Sequence, residues 1–290
     1  MLARNFLFTQ IIFVTSIILG DNHIETNLGG YNTLIGFYER CRTLQSGEKQ
    51  ILIDFEKLRS IDANMSAVLM AIINKLNKEH QLIFFVDTSI LRSRFPALIR
   101  NGWFAQAGIQ LIPSSTASEI RLTGFNKGDD VKFLEFIEKD LLSHAELQIS
   151  EKDKLELTNA FLELFTNIEN HAGVDMPIFA CGQYLPEPAR LCFTLVDTGV
   201  GYLTPIQEFT HGAVSTAQEA ILWALEGNST KTDAPGGLGL KLIQKFCEKS
   251  GSKFEIITGG EYWSNFQLFP VRARYFCGTI VNIIFDCQKR

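Results

Sequence analysis

Between Leu155 and Gly173, in the run LELTNAFLELFTNIENHAG, apolar residues recur at helical spacing: Leu157, Phe161, Leu164, Phe165 and Ile168 fall on one face. That spacing predicts an amphipathic helix with this stripe turned to a core. Glu163, Asn167 and His171 follow one another at intervals of four, so they stack along the neighbouring edge. A carboxylate and an amide displayed beside an apolar stripe suit a site that holds a metal and moves a proton. On this helix alone, a solvated polar edge is the simpler description.

The remaining elements follow from the same patterns. Leu34, Ile35, Tyr38 and Cys41 predict a helix ending near Gly47. Strands are expected at Ile51–Phe55, Leu82–Val86 and Ile109–Pro113. Between the first two runs a helix carrying Ala67, Val68, Ala71, Ile72 and Leu76, with Asp62 as its N-cap; a short helix falls within Leu91–Ile99. Strands alternating with helices imply a small α/β domain with parallel pairing. Pro113–Asp130 is rich in small polar residues and turn formers and reads as a linker, which divides the chain into domains 1–113 and 114–290. Beyond it come a strand at Glu119–Leu122 and an amphipathic helix over Val131–Leu147. A hairpin of Phe179–Tyr184 and Leu191–Val196 turns about LPEPA, and alternating strands follow at Lys253–Thr258 and Gly278–Phe285. Near the start, the apolar run Phe6–Leu19 after Arg4 reads as a buried strand or leader, with a signal or membrane segment as the alternative.

Composition narrows the class. The chain is 46% hydrophobic and 20% charged, an ordinary globular balance able to bury a sizeable core. A net charge of −5 implies no general affinity for nucleic acid. Cys41, Cys181, Cys192, Cys247, Cys277 and Cys287 form no Cys-x-x-Cys pair and sit mostly in apolar runs. They read as reduced core thiols of a cytoplasmic protein with no membrane contact expected, rather than as a disulfide frame or zinc site.

Two glycine runs change the reading of the polar helix. The first, VDTGVG at Val196–Gly201, follows the apolar run Leu191–Val196 and places Asp197, Gly199 and Gly201 at a strand end. A carboxylate there can accept a hydrogen bond from a buried ligand amine while the chain turns. The second, GGLGL at Gly236–Leu240, opens a helical pattern with Gly236, Gly237, Leu238 and Gly239 at its start. Glycines before a helix let backbone N–H groups approach phosphate, and the helix dipole favours the anion. Just upstream, the hydroxyls of Ser229, Thr230 and Thr232 and the ammonium of Lys231 are candidates for phosphate contact, or members of an ordinary polar loop. The stretch Gly201–Pro235 between the two runs is long enough to form a lid.

Taken in this order, Glu-x-x-x-Asn, Asp-x-Gly-x-Gly and Gly-Gly-Leu-Gly-Leu resemble the motifs of the GHKL superfamily, which includes gyrase, MutL and the histidine-kinase catalytic domain. The resemblance covers roughly Ser114–Arg290, and Gly278–Thr279 matches a threonine that the family places near adenine. It implies an ATP site: Mg²⁺ on Asn167, adenine held by Asp197 with Thr279 near it, phosphates along the segment before and through Gly236–Gly239, and Glu163 orienting or deprotonating the attacking hydroxyl. No histidine has the context of a phospho-acceptor, and His171 sits where the anti-sigma-factor serine kinases often carry histidine. The chain is therefore most similar to that serine-kinase type rather than to a histidine kinase. Slow ATP hydrolysis or protein-serine phosphorylation in partner-switching signalling is implied; a nucleotide-gated binding module without turnover is the alternative. A regulatory protein is the expected partner, and a homodimer is left open.

The segment LIDFEKLRSIDANMSAVLMAI resembles the STAS domain, a match spanning roughly Ser16–Pro113. Where many members carry a phospho-accepting serine or threonine, this chain has Ala63, so phosphorylation there is excluded; Ser60 and Ser66 are the nearby hydroxyls. The implied fold class is α/β: a small STAS-like α/β domain followed by a GHKL two-layer α/β sandwich with a mixed sheet.

Overall fold

The computed structural model describes residues 14–44, 49–103, 118–171, 176–230 and 237–288. The strand expected at Ile109–Pro113, the apolar run before residue 14, Lys231, Gly236 and the side chain of His171 lie outside them. The chain is a mixture of helices and strands in several sheets. In its first half the order is β1 (Thr15–Ile18), β2 (Asn22–Ile24), α1 (Leu28–Arg42), β3 (Gln50–Asp54), β4 (Leu58–Ile61), a 3₁₀ turn (Ala63–Met65), α2 (Ser66–His80), β5 (Ile83–Val86), α3 (Thr88–Arg94) and α4 (Pro96–Arg100).

Strands β1, β3 and β5 pair in parallel, in that order, and β2 pairs in parallel with β4. Two local expectations change. The helix foreseen within Leu91–Ile99 is two helices, because a residue before proline is pushed out of helical geometry and Phe95 precedes Pro96. Asp62 makes no capping bond at the 3₁₀ turn; its Oδ2 instead accepts from Thr26 N at 2.7 Å and Thr26 Oγ1 at 2.8 Å, tying the turn back to the loop before α1.

The second half runs β6 (Glu119–Phe125), α5 (Asp130–Phe136, extended by a π turn over Ile137–Leu141), α6 (Glu151–His171), β7 (Ile178–Leu185) and β8 (Arg190–Asp197). Helices α7 (Leu203–Phe209), α8 (Ala217–Leu225) and α9 (Leu238–Ser250) come next, then β9 (Lys253–Thr258), β10 (Glu261–Ser264), β11 (Val271–Arg272) and β12 (Thr279–Asp286). Seven strands form one sheet in the order β11-β10-β9-β12-β8-β7-β6. Each of its pairings is antiparallel, which departs from the mixed sheet expected. The reason is topological. Strands β8 and β9 point the same way, joined by the helical crossover, but β12 inserts between them and runs against both.

Strand alternation gives this sheet two buried faces. Phe193, Leu195, Phe254, Ile256, Val281 and Ile283 pack in one core with residues of α5, α6 and α9, such as Phe133, Phe161 and Ile243. Phe179, Val196, Ile257 and Ile280 point the other way, into a core shared with α1 and α2 of the first half. That second face also carries a polar layer. Glu255 accepts from Tyr262 Oη at 2.6 Å, Asn282 Nδ2 at 2.8 Å and Tyr31 Oη at 3.2 Å. The chain of bonds continues from Asn282 through Thr194 to Asn64, which lies in the 3₁₀ turn. Burying such groups is costly unless they are paired, and here they pair across the two halves.

All six cysteines are free. Among the described residues, no helix is long and apolar enough to cross a membrane.

Candidate functional site

One edge of α6 faces a cleft. The helix turns Leu157, Phe161, Leu164 and Phe165 into the core, so Glu163 and Asn167 are left on the cleft side. Asp197, Gly201, Gly237, Gly239 and Thr279 line the same cleft, although they come from three further points of the chain. Pairing of β8 with β12 sets Thr279 directly opposite Asp197.

Asp197 ends β8 and is 4% exposed. Burial pushes its carboxyl up to about 6; hydrogen bonds from Gly199 N and from Thr279 pull the other way, and Lys75 adds a weaker lowering. Gly199 N donates to Asp197 Oδ1 at 2.8 Å, so this glycine acts through its backbone and does not line the cleft. Lys75 is on α2 in the first half, and its Nζ donates to the carbonyl of Thr198 at 3.2 Å. A cation from one half thus braces the glycine run of the other.

The second glycine run opens α9. Gly237 caps that helix at φ +84°, where a side chain would be strained and a Cβ would lie 2.4 Å from Asn228 O. Its N–H and that of Leu238 both donate to Glu163 Oε1, at 2.5 and 3.2 Å. Leu238 takes part through this backbone bond while its side chain is exposed. The carboxylate therefore occupies the positive end of α9, the position at which a helix holds an anion. Glu163 has a structural role here, as helix cap, alongside the chemical one expected of it. Two turns of backbone are brought close by Gly239, whose added Cβ would stand 2.9 Å from Ala160 O.

Several lining residues carry no motif and were not foreseen: Tyr202, Pro205, Ile206 and Trp223 from α7, α8 and the turn before them, and Asn228 after α8. The only available signal was the length of the stretch between the glycine runs. Ser229 and Thr230, which the sequence did suggest, also line the cleft. Among the described residues, no group of three or more His, Cys, Asp or Glu side chains is placed to hold a metal. The donors on the cleft side of α6, an amide and a carboxylate, are hard oxygen ligands of the kind that supply one or two bonds to Mg²⁺ while water and phosphate supply the rest. No family model and no curated protein matches this chain.

Proposed function

We propose that the cleft binds ATP with Mg²⁺ and that the chain is a regulatory protein of the GHKL type, most similar to the anti-sigma-factor serine kinases. The observation that carries this is the convergence, on one cleft, of the Glu163–Asn167 edge, the Asp197–Gly201 run, the Gly237–Gly239 run and Thr279. Asp197 and Thr279 would hold the adenine, Asn167 the metal, and the backbone at Gly237 and Gly239 the phosphates. Bound Mg-ATP would supply a transferable phosphoryl group with its charge partly neutralised. Glu163 would orient, and take the proton from, the hydroxyl of water or of a protein serine.

The test is calorimetric titration with Mg-ATP. Wild-type protein is expected to bind, and Asp197→Asn to bind about ten- to hundredfold more weakly, since an acceptor facing the ligand amine becomes a mismatched amide. Equal affinity would remove Asp197 from the site.

A second reading, nucleotide binding without turnover, draws on a specific observation: Glu163 Oε1 is engaged by two backbone N–H groups, which hold the carboxylate as the cap of α9. Glu163→Gln keeps an oxygen able to accept both bonds but cannot take a proton. Under the kinase or ATPase reading, phosphate release by this variant falls to background with ATP binding retained. Equal release by wild type and variant would leave Glu163 as a cap alone.

The expected regulatory partner would have to meet the first half away from the start of α2. Ala63, Asn64, Met65 and Ser66 are fully buried there against β7 and β8, and Ser66 Oγ is bonded to Ala63 O and Asn101 Nδ2.

A further inference from the structure

We infer that Tyr202 is a specificity-determining residue of the cleft, its hydroxyl donating a hydrogen bond to a ring nitrogen of the purine whose exocyclic amine is held by Asp197. This deepens the proposed function and rests on the reading of the cleft as an adenine-nucleotide site.

Tyr202 follows Gly201 and lines the cleft, and its backbone is fixed where it caps α7, with its carbonyl accepting from Ile206 N at 3.3 Å. Its hydroxyl oxygen is buried, yet it has no hydrogen-bond partner among the described residues. A buried phenol normally finds a partner, and an orphan of this kind calls for an explanation. Packing does not supply one, since phenylalanine would fill the same apolar surroundings, with Ile206 and Leu240 beside it in the cleft, at no such cost. Charge gives a direction. Burial first, and the neighbouring Asp197 carboxylate second, raise the pKa of the phenol, so the oxygen keeps its proton and stays a donor at neutral pH.

Asp197, an acceptor, and Tyr202, a donor, both line the cleft, and the phenol lies within the field of the carboxylate. A ligand that answers both must carry a donor next to an acceptor on one edge. Adenine does so with its amine beside a ring nitrogen. Guanine and hypoxanthine place a carbonyl where the amine would be, setting an acceptor against the carboxylate.

The experiment is calorimetry of wild type and Tyr202→Phe with ATP, 1-deaza-ATP and 7-deaza-ATP, the analogues each lacking one candidate ring nitrogen. Tyr202→Phe is expected to bind ATP about tenfold more weakly than wild type. One analogue should bind wild type about as weakly as ATP binds the variant, and that analogue should lose nothing further on Tyr202→Phe. Without nucleotide, the variant should melt at the same temperature as wild type or higher, because it removes an unsatisfied group. ATP binding by wild type with equal binding by Tyr202→Phe would overturn the inference and leave the site assignment standing. So would a lower melting temperature for the free variant, which would mean that the hydroxyl is already bonded. Failure of wild type to bind ATP at all would remove both.

Discussion

A carboxyl group buried as deeply as Asp197 makes the free protein and its complex respond to pH in opposite senses. Its pKa stands at about 6 in the fold, above the usual carboxylate value. A group raised in this way contributes stability that is fully present below the unfolded-state pKa and is lost as pH rises through the folded one. The free protein should thus lose up to about 3 kcal/mol from this residue between pH 4 and 6. Nucleotide affinity should run the other way, because the ionised form is the stronger acceptor for the ligand amine, and so should fall as pH drops through about 6. Melting curves and titrations across this range check both, with Asp197→Asn as the control that flattens each profile. A weaker pH dependence in wild type than in the variant would contradict the assignment.

At the scale of elements, the contact of α6 with α9 decides the shape of the cleft floor. It is close because Gly239 has no Cβ, and the atom in the way would be a backbone carbonyl, that of Ala160, which cannot swing aside. Gly239→Ala should therefore push the two helices apart and cost about 1–3 kcal/mol, seen as a lower denaturant midpoint. It should also displace Glu163, whose Cβ would lie 3.3 Å from the new atom. A midpoint equal to that of wild type would mean that the helices are not held in register by this contact. Much at this scale was legible in the sequence. The stripe of α6 is a local period, and carboxylates and glycines at fixed offsets mark the ends of β8 and the start of α9. What was not legible depends on distant pairings. The two-residue β11 has too little pattern to read, and the insertion of β12 between β8 and β9 leaves no trace in either strand. Tyr202 and Trp223 could not be picked out because what makes them part of the site is the fold of the crossover, not a spacing.

The whole molecule joins its halves through polar as well as apolar contacts. Lys75, 7% exposed, reaches the glycine run of the candidate site through the carbonyl of Thr198. Lys75→Met should keep most of the packing while removing a cation that lowers the pKa of Asp197. The pH midpoint of nucleotide binding is then expected to move upward relative to wild type. An unmoved midpoint with a lowered melting temperature would restrict Lys75 to a structural role. The wider contact surface also covers the polar positions of the sheet. Thr194, Glu255 and Asn282 alternate with apolar neighbours as a solvent-facing side would, yet each is fully buried under the first half. Their hydrogen-bond partners Tyr31 and Asn64 lie more than a hundred residues away along the chain. That arrangement bears on how such a protein can be inherited. A half carrying both glycine runs cannot simply be shuffled into another gene, because it would arrive with Glu255 stripped of Tyr31 and an apolar sheet face uncovered. Any new neighbour would have to bring its own substitutes for α1 and α2, polar partners included.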